Sequence, residues 1–282
     1  MTGRRSWQVR LPQALLGAVL LIWTLMPVYT MAMLALSPQS QVFSGHLYPH
    51  TPTVQNFVDV VSQRGEYVGA FWLQMANSAV TAIGTTVLVL LVGTLAAFGI
   101  ARLRPRWGSF VSNAALATYV IPLSFVSIPL YKVMATYGLL GTRWSLVLAM
   151  TAFASPYAMW VFSQHSETAI SHELDESARI DGASSWQIYL RIYLPLMTPV
   201  LVAIGIYAFL LAWNEYLLAF LLLGSGSTTT MPVALSDFLN TDNPPWNSFM
   251  AASLFYALPP AILYYLFRNK ITGGLTAGSV KE

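Results

Sequence analysis

The side chains able to do chemistry gather in one stretch. Residues 172–196 read HELDESARIDGASSWQIYLRIYLPL, and segment 163–196 holds five of the chain's eleven acids: Glu167, Glu173, Asp175, Glu176 and Asp181. Neighbouring carboxylates work as a general acid and base where an apolar pocket moves a pKa toward neutrality. Here the surroundings are polar and no such pocket is evident, so the stretch reads as a docking surface. A second candidate is Trp213-Asn214-Glu215, which sets an ionisable group inside an apolar run. Two of the four histidines, His46 and His50, are close enough to share a surface metal, but His165 and His172 fall in a loop on the opposite side. A metal site needs ligands that converge, so none is expected. The Gly-Lys of a phosphate-binding loop, H-E-x-x-H and G-x-S-x-G are all absent, and cysteine chemistry is excluded because there is no cysteine. No catalytic residue is assigned, and the chain is not read as an enzyme.

The elements that position these residues follow from composition. Of 282 residues, 56% are hydrophobic and only 9% charged, against roughly 25% charged in soluble domains. Mean hydropathy is +0.58. So few charges cannot cover a soluble surface. The chain is therefore an all-α integral membrane protein, which excludes a soluble enzyme, a disordered tail and a nucleic-acid-binding domain. A spanning helix needs about 20 apolar residues. Charge-free windows give six: Leu11–Leu36, Tyr67–Ala101 with its apolar part from about Ala79, Trp107–Tyr131, Trp144–Phe162, Met197–Leu223 and Phe249–Phe267. The first is too long for a signal-peptide core and reads as a retained anchor. Pro122 and Pro129 are expected to kink the third. Asn214 and Glu215 break the fifth.

Lys and Arg orient the bundle. Arg4, Arg5, Arg10, Arg102, Arg104, Arg106, Arg179, Arg191, Arg268, Lys270 and Lys281 fall on one side, and Arg64, Lys132 and Arg143 on the other. Both termini are thus expected to be cytoplasmic. Trp7, Trp72, Trp107, Trp144 and Trp246 lie near span ends, where an aromatic belt would place them. The organisation is residues 1–76, an anchor helix and outer loop; 77–268, a transmembrane domain with the cytoplasmic loop 163–196; and 269–282, a cytoplasmic tail. Proline and glycine make the outer loop mostly irregular or short helix.

Within the cytoplasmic loop, Leu174, Ala178 and Asp181 sit on successive helical turns, and Glu173, Asp175 and Glu176 suit a helix start. Gly182 ends that helix. Trp186, Ile188, Tyr189 and Ile192 belong to a second short helix, and Pro195 and Pro199 mark the return to the membrane.

This loop resembles the EAA loop of permease subunits of ABC importers, whose pattern is E-A-A, three residues, G, nine residues, I-x-L-P. Glu176, Ser177 and Ala178 stand for E-A-A, Gly182 has the right spacing, and Ile192, Leu194 and Pro195 complete it. Ser177 replaces the first alanine, adding a hydroxyl able to bond back to its helix. The likeness runs from about Asn77 to Lys281 and is strongest to carbohydrate importers of the maltose-transporter type, through Trp213-Asn214-Glu215, through Ile128-Pro129-Leu130-Tyr131 and through the ending Gly274-Leu275-Thr276-Ala277-Gly278-Ser279-Val280-Lys281. The resemblance implies a type I ABC importer permease (MetI-like) fold and an inner (cytoplasmic) membrane location. It implies that Glu176, Ser177, Ala178, Asp181, Gly182, Ile192, Leu194 and Pro195 couple to an ATPase, and that Gly274, Thr276, Gly278 and Lys281 of the tail contact it. Trp213, Asn214, Glu215 and Tyr131 are candidates for the translocation path. For Glu215 a structural hydrogen bond between helices is the competing reading, for Trp213 packing, and for Tyr131 an interfacial anchor.

The implied partners are a homologous second permease in a heterodimer, two ATPase subunits, an extracellular solute-binding protein or lipoprotein, and the lipid bilayer, with no nucleic acid. No cofactor is expected on this chain; ATP and magnesium belong to the ATPase. The implied solute is a sugar or oligosaccharide. Glycerol phosphate or another small polar solute is the alternative, and a stand-alone secondary transporter is a more distant one, since no inverted repeat is visible.

Overall fold

The computed structural model describes residues 3–103, 105–224 and 226–276, with side chains from 12 to 269 except at 104, 172 and 225. All regular structure among them is helical. Four helices are long and apolar enough to cross a membrane, at Pro12–Ala35, Phe71–Leu103, Arg143–Ala169 and Trp246–Asn269. Two bent pairs bring the number to six if each is one span: Gly108–Thr118 with Leu123–Thr136 at 102°, and Ser185–Leu196 with Thr198–Trp213 at 78°. The third expected span is thus two helices, not one kinked helix. Pro122 lacks an N–H and caps the second helix in an extended conformation, so the chain turns there. Pro129 lies inside that second helix.

The chain divides into two compact units, Met1–Trp72 with Leu235–Leu258 and Leu73–Ala234 with Pro259–Glu282. The first holds α1 (Gly3–Ala35), α2 (Gln55–Val61) and the first turns of the last helix, Trp246–Thr276. From residue 12 to residue 30 the side chains of α1 stay exposed, Trp23 at 80%, and only the last turn is covered, with Ala35 fully buried. A 3-10 turn at Gln39–Gln41 and the short helix α2 lie in the stretch expected to be irregular or short helix. Asn56 organises it: its Nδ2 donates to the carbonyls of Ala35 at 2.7 Å and Ser37 at 3.0 Å, and its Oδ1 accepts from Asn247 at 2.8 Å. Phe255 packs edge-on against Phe57 and Phe71 beside it.

The second unit is built on α3 (Phe71–Leu103), α4 (Gly108–Thr118), α5 (Leu123–Thr136) and α6 (Arg143–Ala169). After α6 come α7 (His172–Ile180), then Ser185–Leu196, which contains a π-helical turn at Tyr189–Tyr193, then α8 (Thr198–Trp213) and α9 (Leu217–Leu223). A short helix at Met231–Asp237 follows, which no charge-free window announced. The core runs through α6, whose Ala154, Ala158 and Phe162 are fully buried, and α4, α8 and α9 pack on it. In lipid, helices meet through close van der Waals packing at small residues. Gly93 of α3 shows this: a Cβ there would lie 3.2 Å from Ala158 Cβ and from the Phe162 ring.

Candidate functional site

The 172–196 segment folds as its local chemistry dictates. Glu173 and Asp175 stand in the first turn of α7. At its far end Gly182 has φ +82°. Its N–H donates to Arg179 O at 3.0 Å, and the Ala183 N–H reaches Ala178 O at 2.9 Å. These two bonds are the pairings of a Schellman cap, which needs a left-handed residue at its apex. Two residues on, Ser184 starts the next helix through a capping box. Its hydroxyl accepts from Gln187 N at 3.3 Å, and its own N–H donates to Gln187 Oε1 at 2.8 Å. The Ser177 hydroxyl donates back to Leu174 O at 3.0 Å.

This turn separates the expected residues into two sets. Glu176, Asp181 and Gly182 are exposed together at the tip. A cavity of about 230 Å³ opens there, lined by Asp181, Gly182, Ala183, Gln187, Ile188, Arg191 and Ile192. Ala178 and Leu194 instead pack against the core around Phe98, Tyr189 and Tyr193, and Ile192 touches both that core and the cavity. Ala178 is therefore small so that α7 can lie close to its own chain. Pro195 is exposed. Two features were missed in the sequence. Ile180 is 87% exposed at the tip, an apolar side chain in a polar surface; its sole signal was an isoleucine among charges. Arg102, read as an orientation charge, is buried, with Nε 2.8 Å from Asp175 Oδ2.

The residues considered for a translocation path lie further along. The helix is interrupted between α8 and α9 at Asn214–Tyr216, where the sequence placed the break. Glu215 is half-buried and its Oε1 accepts from Leu218 N at 2.7 Å, capping α9. Trp213 is 2% exposed and stacks on Phe209 at 5.3 Å. Asn214 is exposed and donates to Leu210 O at 2.9 Å. Tyr131 on α5 is 40% exposed. Gly274 and Thr276 continue the last helix, whereas Gly278, Lys281 and Arg104 lie outside the described residues.

Comparison with known proteins gives this geometry a family. Residues 90–272 match the binding-protein-dependent transport system inner membrane component. The chain is 34% identical over 267 residues to the inner membrane ABC transporter permease protein YcjP of Escherichia coli (strain K12), covering 94% of each. It is 31% identical over 271 residues to the trehalose transport system permease protein SugB of Mycobacterium tuberculosis (strain CDC 1551 / Oshkosh), covering 95% of this chain and 96% of that one. Against the lactose transport system permease protein LacG of Rhizobium radiobacter it is 30% identical over 242 residues, covering 86% and 85%. The fold matches a chain from the crystal structure of a bacterial ABC transporter involved in the import of the acidic polysaccharide alginate. The TM-score is 0.79, with 20% identity, 95% of this chain and 98% of that one covered. The chain belongs to the inner membrane components of binding-protein-dependent transport systems, the multi-pass permease subunits of ABC importers.

Proposed function

We propose that this chain forms half of the translocation pathway for a sugar or oligosaccharide and receives ATPase movement through the 172–196 loop. The carrying observation is the loop's two-sided build. One side is anchored in the chain's own core, and the other exposes Glu176, Ile180, Asp181 and Gly182 around an open cavity. An apolar tip ringed by charge suits a cleft on a partner protein. In this reading both termini and the loop face the cytoplasm, as the Lys and Arg bias implies. A homologous second permease completes the pathway, two ATPase subunits carry ATP and magnesium, and an extracellular binding protein delivers the solute. The sugar assignment draws support from the names of the trehalose and lactose relatives. Residues 274–281 are placed as a further ATPase contact. The switch between inward-facing and outward-facing states is then a two-state equilibrium that nucleotide biases through the loop.

The test is capture of the tagged chain from its native membrane in mild detergent, with identification of what accompanies it. An ATPase, a second permease and a solute-binding protein support the reading, and the binding protein can be screened against sugars and glycerol phosphate. Recovery of a stable chain alone would refute it.

A further inference from the structure

We propose that Arg102 is the positioning residue that joins the docking loop to α3, so that α7 and the adjacent end of α3 move as one body. This rests on the reading of 172–196 as the ATPase-docking loop. Thr94, Phe98 and Arg102 are spaced four apart and share one face of α3. All three meet the loop. The Thr94 and Tyr189 hydroxyls are 2.8 Å apart. The Phe98 ring lies edge-on to Tyr189 at 5.3 Å and to Tyr193 at 5.2 Å. Arg102 sets Nε 2.8 Å from Asp175 Oδ2, and its terminal nitrogens donate to Ile170 O at 3.1 Å and Ser171 O at 3.3 Å. One stripe of α3 therefore holds both limbs of the loop, α7 through Arg102 and the following segment through Thr94 and Phe98.

Arg102 does more than hold α7. Ile170 closes α6, and Ser171 precedes α7 without a side-chain cap of its own. The guanidinium fork supplies donors to both carbonyls, where a cation also suits the end of α6. Three helix ends thus converge on one side chain. An orientation charge needs only to sit in water, as Arg106 does. The Arg102 side chain is 1% exposed and that of Asp175 10%. Exposed ion pairs hold little, but separating a buried pair strands an uncompensated charge, which makes this joint stiff. Asp175 is hence committed inward, while its neighbour Glu176 is exposed at the tip.

The experiment uses the full complex with its ATPase subunits. Because the chain contains no cysteine, Leu103→Cys and Leu174→Cys, at exposed sites on α3 and α7, give a single spin-label pair in a complex whose other subunits are made cysteine-free. The expected result is one narrow distance distribution, the same without nucleotide and with a non-hydrolysable ATP analogue. In Arg102→Met the distribution should broaden, and solute uptake per ATP should fall about 5- to 150-fold, the span of ordinary coupling between sites, while the ATPase is still captured. Arg102→Lys keeps the charge but not the fork, so it should fall between. An α3–α7 distance that changes with nucleotide in the otherwise native chain, or native uptake per ATP in Arg102→Met, overturns the inference alone. If Arg102→Met fails to assemble, the distance comparison without that variant still decides. Failure of the native chain to hold an ATPase overturns the docking reading and this inference with it.

Discussion

Gly182 separates two reasons for a glycine at the loop tip, and three substitutions tell them apart. The first reason is conformational. At φ +82° an L side chain costs roughly 1–2 kcal/mol. The second is room for a partner, since a Cβ at Gly182 meets nothing within 4 Å inside this chain. The strain works against two Schellman bonds at 3.0 and 2.9 Å, worth about 0.5–1.5 kcal/mol each. A capping box adds about 0.5–2 kcal/mol. The turn should therefore survive Gly182→Ala with some loss of population, about tenfold for each 1.4 kcal/mol. Strain alone ranks Gly182→Asn best, because asparagine visits the left-handed region, and places Gly182→Ala and Gly182→Trp together. Occlusion of a docked partner ranks the variants by size: Ala mildest, Asn next, Trp worst. The docking reading expects the size order. The assay is uptake in vesicles alongside ATPase capture and membrane insertion, with insertion unchanged throughout. Native uptake in Gly182→Trp, or Ala and Trp failing equally while Asn works, would refute it.

Other side chains offer equally direct checks. Glu215→Gln keeps an acceptor for Leu218 N, so thermal stability and uptake should match the native chain, whereas Glu215→Ala should lose about 0.5–2 kcal/mol with the cap; a fall in uptake in the Gln variant at native stability would place the charge on the solute path instead. Gly93→Val drives a side chain against Ala158 and Phe162 and should cost about 1–3 kcal/mol, seen as a lower melting temperature in detergent. Gly99→Ala on the same helix, with nothing within 4 Å, should be neutral or stabilising, and equal effects of the two would contradict the close packing. Asn56→Ala leaves the carbonyls of Ala35 and Ser37 without their donor, about 1–3 kcal/mol for each buried group; trypsin should then cut faster at exposed Arg64, and an unchanged rate would mean Asn56 does not hold that segment.

What was legible in the sequence was local. Gly182 and Pro195 act within a few residues of themselves, so the turn and both short helices around it could be read from residue type. Charge-free windows located the apolar runs because lipid demands them. Direction was less visible. Pro122 announces an irregularity, but whether a helix kinks or turns through 102° depends on what the next segment packs against. How the stretch before α3 is held was not visible, because its order comes from Asn56, which bonds to residues 21, 19 and 191 positions away in sequence; no periodicity records such pairs. Arg102 was hidden by its own position. An arginine ending an apolar span satisfies the orientation rule whether it is solvated or buried, and only the Thr94–Phe98–Arg102 spacing hinted at a gripping face.

The packing dictates how a push on the loop must travel. Close-packed interiors transmit displacement rather than absorbing it. At Gly93 the α3 backbone approaches α6 so closely that even a methyl group has to be accommodated. At the loop end, Phe98, Tyr189 and Tyr193 fill the space between α3 and the segment leading into α8. The first contact seats α3 on α6, and the second fills the gap between α3 and the loop. Compliance is better placed beyond the gripped residues: at the 78° bend before Thr198 and at the open break between α8 and α9. In the proposed coupling, a displacement applied at Gly182 turns α7 and α3 together and is taken up as a change of angle along α8. Angular change in rigid helices, rather than local loosening, is what rocking between two access states requires.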